Sequence, residues 1–512
     1  MLWWSRNNPL PDGFQNEYLH VGNALDLWGA LCDRDLWHMR WYMYTSYWPW
    51  GFYAAAWPFL AALGPVKQAL LLSNVLHLAV LLWATHAIGK ETRSPLTPVL
   101  VALCPGVFGT LVRFEPNFAA IAWTAAGLAC LIRSKGLTYR REVIGFGFAL
   151  GIGLMLDRLT VAFFLIPALI PLLKGANKTA WKNLLIAMVT TLVLTAAYYR
   201  EFFQRYTQEL LSQAPVGEID SAGAVSVTGG GNPWSYYIWS LLDSQAGLIL
   251  GAIMLWGTGA AIKRSLAAVR PSKPSKKGQA NRNHDAVLLW AIIPPILLFS
   301  LIAKKQVFYT LPILVPMAVF AGQVPKASWV GVAAGLWSFL ALGVGSIPSP
   351  PVLMGPGHQF AHTLARPPSF QDWGLQGAIE AMGPQPAGTD RASILVFSQV
   401  DALYEGFITL AIRETYPDSH VRGLRTDPNG TYELLHETPW FLLVGPPNVD
   451  WPAKSTIDEA LLANHAPIDA MPPMARLVAS SKEDFDEIGR WNKQHPNQPP
   501  IEIVLFRRRP LE

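Results

Sequence analysis

Ten apolar runs occupy most of the chain between residues 66 and 347: 66–88, 97–113, 115–133, 142–157, 159–173, 182–200, 246–262, 286–303, 306–322 and 328–347. Each approaches the roughly 17 to 25 residues with which a helix crosses a hydrocarbon core, several shortened by proline or tilt. After Gly345 the pattern changes. Residues 348–512 read as a soluble domain in which short β-like runs, "SILVFS" (393–398) and "WFLLVG" (440–445), accompany helix-like ones such as "DALYEGFITLAIRET" (401–415). Strand followed by helix predicts a small α/β domain with a partly parallel sheet. The predicted fold class is mostly α: a polytopic transmembrane helical bundle with a C-terminal extracytoplasmic α/β domain.

The polar connections orient the bundle, because short cytoplasmic loops carry the excess of Lys and Arg. "KRSLAAVRPSKPSKKGQANRNH" (263–284) holds seven Lys or Arg and no acid. "SKGLTYRRE" (134–142), "KGANKTAWK" (174–182) and "KETR" (90–93) fall on the same side if spans alternate. The connections near 114, 158, 201–245 and 304–305 then face outward, as does the tail. Counting back puts residues 1–65 outside as an acidic loop with interfacial helices, provided 48–64 does not cross. That segment, "WPWGFYAAAWPFLAALG", is short, holds two prolines and suits a helix at headgroup level. Taken as an ordinary span, it would leave Glu17 in the cytoplasm. An outward Asp12–Trp28 stretch also calls for a span before Met1.

Composition agrees with this class. Of 512 residues, 51% are hydrophobic and only 15% charged, against about 25% charged in soluble domains. The 21 tryptophans suit bilayer interfaces. Cys32, Cys104 and Cys130 are too few and scattered for a disulfide framework or a zinc site. The net charge of +5 is placed unevenly, so it speaks to topology and not to nucleic acid. Met1–Asn8 lacks a basic segment followed by a long apolar core, so no signal peptide is expected.

Several stretches, taken in order, carry a resemblance. "NEYLHVGNA" looks like an outward acidic loop, and "YWPWGFYAAAWPFLAALG" like an aromatic–proline stretch with an amphipathic helix. In "VRFEPNFAAIAWTAAGLACL" an acid opens a span. "GFALGIGLMLDRLTVAFFLIPALIPLL" looks like a Gly-rich span ending in a basic residue. "NPWSYYIWSLL" closes the long outer loop, and "AKKQVFYTLPILVPMAVFAG" joins basic residues to a tyrosine–proline run. Together, over about residues 12–347, they resemble the polytopic GT-C glycosyltransferases, the branch of protein O-mannosyltransferases and the aminoarabinose transferase of lipid A. The resemblance implies a GT-C-type bundle in a bacterial inner membrane. It implies a hexosyl- or pentosyltransferase moving a sugar from a polyprenyl-phosphate donor to a lipid, glycan or protein acceptor at the non-cytoplasmic face. Two departures stand out: Asn16 replaces an acid of the family's pair, and Arg158 replaces a Lys while keeping the charge.

Such a transfer needs a base for the acceptor hydroxyl, cations for the departing phosphate and an apolar groove for the carrier. Glu17 and Glu115 are the candidate acids, with Glu17 expected as general base and Glu115 positioning donor or acceptor; the roles could be exchanged. Burial at the boundary makes a carboxylate a stronger proton acceptor. Glu115 could instead be a helix-start acid beside Pro116, and Glu17 a solvated loop acid. Arg113, Arg158, Lys304 and Lys305 are the candidate donor-phosphate clamp. For the two lysines, snorkelling to headgroups competes closely, and Asp157 could serve only to neutralise Arg158. Tyr53, Trp234, Tyr237 and Tyr309, with Tyr236, are candidate substrate-binding aromatics, although an interfacial belt explains most of them. His20 shares a helical face with Glu17, but two ligands do not make a metal site; a hydrogen-bonding role is expected, and a divalent metal stays open. Asp26, Asp33 and Asp35 fit a solvated loop. The Gly-rich 216–233 lacks Walker spacing and suits a lid. "NGT" (429–431) is a weak glycosylation pattern.

The rival is a transporter or flippase of an anionic amphiphilic lipid, and a third reading is a catalytically inactive relative. A transporter should show paired repeats with breaks near mid-bilayer. No such repeat is visible, and the charges gather at one face.

Overall fold

The computed structural model describes residues 17–45, 48–173, 178–212, 225–226, 236–267, 284–301, 304–305, 307–346 and 348. Of the tail it describes 375–383, 393–398, 408, 411–412, 415–416, 420–423, 439–445, 449–450, 481–493 and 501–509. Four described helices are long and apolar enough to cross a membrane: Lys67–Thr92, Lys178–Phe203, His284–Leu301 and Pro325–Val344. The first, at 26 residues, is about 39 Å long. Along Lys178–Phe203, Trp181, Leu185, Met188, Val189 and Leu192 are exposed at helical spacing, a contiguous apolar stripe that calls for lipid.

Proline sets the interruptions. Pro105 and Pro116 stand at the starts of helices Pro105–Leu111 and Pro116–Arg133, where the missing N–H and fixed φ suit a first turn. The run expected as one span at 97–113 is therefore two short helices, Thr97–Ala102 and Pro105–Leu111. Helices Pro105–Leu111 and Pro116–Arg133 meet at an angle of 120°, so Arg113 and Glu115 sit at a sharp corner. Similarly, 158–173 divides into a 3₁₀ turn, Arg158–Phe163, and helix Leu165–Leu173. The run at 306–322 becomes a 3₁₀ turn, Val307–Ile313, leading into helix Leu314–Gly322. Every residue of that last helix is buried, so it forms part of the central core with Phe118, Ile121, Ala125 and Phe164.

Side-chain bonds gather the helix ends into two polar groups. In one, Arg264 pairs with Asp285 at 3.1 Å and also donates to Gln323, whose amide reaches the Thr92 carbonyl. Asn183 binds the carbonyls of Leu137 and Thr138, and Arg133 pairs with Glu142 at 3.0 Å. These are the ends expected in the cytoplasm. The opposite ends carry the candidate site. Close packing between them depends on glycine at one crossing: a Cβ on Gly147 would lie 2.5 Å from the Ala187 carbonyl oxygen.

The tail holds a five-stranded sheet in the order His420–Gly423, Ser393–Ser398, Trp440–Gly445, Ile501–Arg508, Phe485–Lys493. The first two pairings are parallel and the last two antiparallel. The two runs read as strands are strands, and the sheet is partly parallel as expected. Helix Leu375–Met382 packs Leu375, Ala378, Ile379 and Met382 against this sheet. Most of 401–415, and the "NGT" pattern, lie outside the described residues.

Candidate active site

Glu17 opens helix Glu17–Cys32, and its side chain is 1% exposed. Its Oε1 accepts the backbone N–H of Phe114 at 2.9 Å, a contact across 97 positions of sequence. Phe114 stands between Arg113 and Glu115, so this one bond brings three candidate residues together. All of them are buried. The corner is held from a third element: Asn74, within Lys67–Thr92, donates from Nδ2 to the carbonyls of Leu111 and Arg113 at 2.9 and 2.7 Å. Glu115 is the extended residue before Pro116, and its Oε2 accepts from Asn117 Nδ2 at 2.9 Å.

A second group adjoins through aromatic contacts. The rings of Phe52 and Phe114 lie 4.6 Å apart. His20 Nδ1 and the Tyr53 hydroxyl are 3.0 Å apart, and Asn23 donates to the same hydroxyl. Burial lowers the His20 pKa to about 3, and it raises that of Tyr53, so both are neutral near pH 7. His20 also packs edge-on against Trp48 and Phe52. Among the described residues, no three His, Cys, Asp or Glu side chains cluster as a metal site would require.

Arg158 does not lie against Asp157 alone. Its guanidinium stacks over Phe202 at 4.8 Å and Trp48 at 5.5 Å from the ring centres, as cation–π pairs do. Asp157 instead uses Oδ1 to accept the Leu159 N–H at 2.9 Å, capping the 3₁₀ turn. Asp157, Asn117 and Tyr309 line one small cleft. The rings of Tyr309 and Tyr237 each approach Phe299, at 5.4 and 6.5 Å between centres.

The backbone of Lys304–Lys305 pairs antiparallel with Val225–Ser226, two residues of the Gly-rich stretch. Their side chains, Trp234 and Asn16 lie outside the described residues. Asp33 and Asp35 are exposed, as expected of loop acids.

Sequence reasoning missed three polar residues here. Lys67 is buried at the start of its helix. Asn74 stands out only as an amide within an apolar run. Asp243 occupies a π-helical turn, Leu241–Gln245, where burial raises its carboxyl pKa to about 6; such turns often mark functional segments.

No family model matches the sequence, and a search of curated proteins finds no match either. Comparison of folds does find relatives. The crystal structure of ArnT from Cupriavidus metallidurans in the apo state superposes with a TM-score of 0.52, covering 96% of this chain and 93% of that one at 11% identity. The structure of the same protein bound to undecaprenyl phosphate gives 0.52 over 98% and 96%, at 10% identity. The chain thus has the GT-C fold, mostly helical with a small C-terminal sheet region. With its apolar helices, it is a multi-pass integral membrane protein.

Proposed function

We propose that this protein is a membrane glycosyltransferase that moves a sugar from a polyprenyl-phosphate donor to an acceptor hydroxyl at the non-cytoplasmic face of a bacterial inner membrane, with its C-terminal domain on that side. The observation that carries the reading is the Glu17–Phe114 bond, which ties a buried carboxylate to the backbone that links Arg113 and Glu115. Burying charge at a membrane boundary is unfavourable, and such groups are retained for function. The ArnT structure with undecaprenyl phosphate, of the same fold, supports a lipid-phosphate partner.

In this reading Glu17 takes the acceptor hydroxyl proton as the acceptor oxygen bonds to the sugar's anomeric carbon. The bond from that carbon to the phosphate oxygen breaks, and polyprenyl phosphate leaves with the electron pair. Arg113 and Arg158, with Lys304 and Lys305, stabilise the charge gathering on it. Glu115, held by Asn117, positions the reactants.

The test uses the purified protein in nanodiscs with a panel of polyprenyl-phosphate sugars and envelope acceptors. Glu17→Gln is expected to lower turnover by about 10²- to 10⁴-fold, the usual weight of a general base, with donor binding kept. Glu115→Gln is expected to act chiefly on KM. Full turnover in both variants would remove the acid–base assignment. Lipid translocation without sugar transfer in the wild type would favour the flippase.

A further inference from the structure

The cleft beside Glu115 is lined by Asn117, Ala120, Asp157, Thr160, Phe308 and Tyr309, among others. Its free volume is about 10 Å³, close to the ~10–15 Å³ that one water needs. A sugar ring does not fit, but one oxygen or nitrogen with its hydrogens does.

Its polar lining centres on Asp157. Asp157 is 6% exposed, and its Oδ1 is taken by the Leu159 N–H; Oδ2 has no hydrogen-bond partner among the described residues. Asn117 gives one Nδ2 hydrogen to the Glu115 carboxylate, which leaves its acceptor Oδ1 and a second N–H. The Thr160 hydroxyl gives its hydrogen to the Gly153 carbonyl at 3.2 Å, so it can only accept. The lining thus joins acceptors, Asp157 Oδ2 foremost, to donors in the second Asn117 N–H and the Tyr309 hydroxyl, and a hydroxyl, which both donates and accepts, matches such a set.

The charge selects among donors. Arg158 is close enough to interact electrostatically with Asp157, while its guanidinium packs on Phe202 and Trp48. The carboxylate's charge is thereby balanced from within the chain, which favours a neutral hydroxyl over an ammonium group.

We infer that this cleft is a specificity subsite taking one hydroxyl of the transferred sugar, with Asp157 as its principal acceptor. The inference rests on the glycosyltransferase reading above. It assigns Asp157 to recognition, not to proton transfer. A site built around a substrate hydroxyl rejects analogues that lack it, because its own polar groups are then left unpaired.

The full-length protein in nanodiscs would be titrated with undecaprenyl phosphate and with its mannosyl, glucosyl, galactosyl and arabinosyl derivatives. The best sugar's monodeoxy and amino-for-hydroxyl analogues would follow. The wild type is expected to bind one glycosylated lipid more tightly than the bare lipid, and to lose about 10- to 100-fold for one deoxy analogue, the weight of a hydrogen bond to a charged group. Asp157→Asn should erase that preference while leaving undecaprenyl phosphate binding unchanged, which also reports that the variant folds. Ala120→Val, which fills the space and removes no polar group, should do the same. If both variants keep the sugar preference, the subsite is wrong. A preference for the amino analogue would overturn the hydroxyl assignment. A wild type that binds no undecaprenyl phosphate would sink the underlying reading, and the subsite with it.

Discussion

Asn74→Leu isolates how the rim is assembled without removing any charged group. Asn74 is fully buried, and its Nδ2 supports two carbonyls at the corner that carries Arg113 and Glu115. Leucine has a similar size, so the cavity contribution is small. Two orphaned carbonyls cost about 1–3 kcal/mol each, while Asn74 Oδ1, itself buried without a partner, returns about 1–3 kcal/mol when it is removed. The net destabilisation is about 2 kcal/mol. It should appear as a lower unfolding midpoint in detergent. Turnover should fall further than global stability explains, since misplacing reacting groups by about 1 Å can cost 10²-fold. Circular dichroism melts and the transfer assay, run below the midpoints of both proteins, would read the two effects. A variant with wild-type midpoint and turnover would refute the claim that this amide holds the corner.

Other outcomes follow from individual residues. His20 has a pKa near 3 when folded and near 6.5 when unfolded, so the unfolded chain binds the proton first. Its neutral burial therefore favours folding fully above about pH 6.5 and loses ground as pH falls toward 3, by about 2 kcal/mol between pH 7 and 5. His20→Gln should flatten that part of the stability–pH curve, and an unchanged slope would count against the burial. Gly147→Ala should cost about 1–3 kcal/mol, since backbone atoms of Ala187 must retreat; an unshifted melting midpoint would contradict the close crossing. Cys32 is exposed and free while Cys104 and Cys130 are buried. An impermeant maleimide should label Cys32 on intact spheroplasts, slowly at neutral pH because burial and Asp33 raise the thiol's pKa. Lys135→Cys should label only after permeabilisation, and the reverse pattern would invert the orientation.

What could be read from sequence followed from local causes. Apolar runs marked helices, Pro116 marked the start of one, and β-rich runs at 393–398 and 440–445 marked strands of a mixed sheet; the break at Pro105, inside a run read as one span, was not seen. Glu17 and Glu115 stood out as acids flanking apolar segments. Their union did not, because the Phe114 N–H that joins them is a backbone group 97 positions from its acceptor. The Asp157–Arg158 pair was legible as two opposite charges but not as two roles. Only the fold turns one toward a 3₁₀ cap and the other onto aromatic rings. Asn74 and Asn117 carry no signature at all, since an amide reveals its purpose only through the partner it meets.

The acids at the two ends of the bundle differ in exposure, and this bears on where function resides. At the end expected in the cytoplasm, the clasp is an ion pair between a half-exposed Arg264 and Asp285. Such pairs contribute little and are screened by salt, so changes there should leave transfer intact. At the rim, the carboxylates of Glu17 and Glu115 are removed from water and receive neutral N–H groups, one from the backbone and one from an amide side chain. Fixed, water-excluded groups of that sort are what electrostatic catalysis requires. A bundle built for stability alone would have filled the same corner with apolar side chains, which is often the more stable choice. The polarity retained in that buried corner is the physical reason to seek chemistry there.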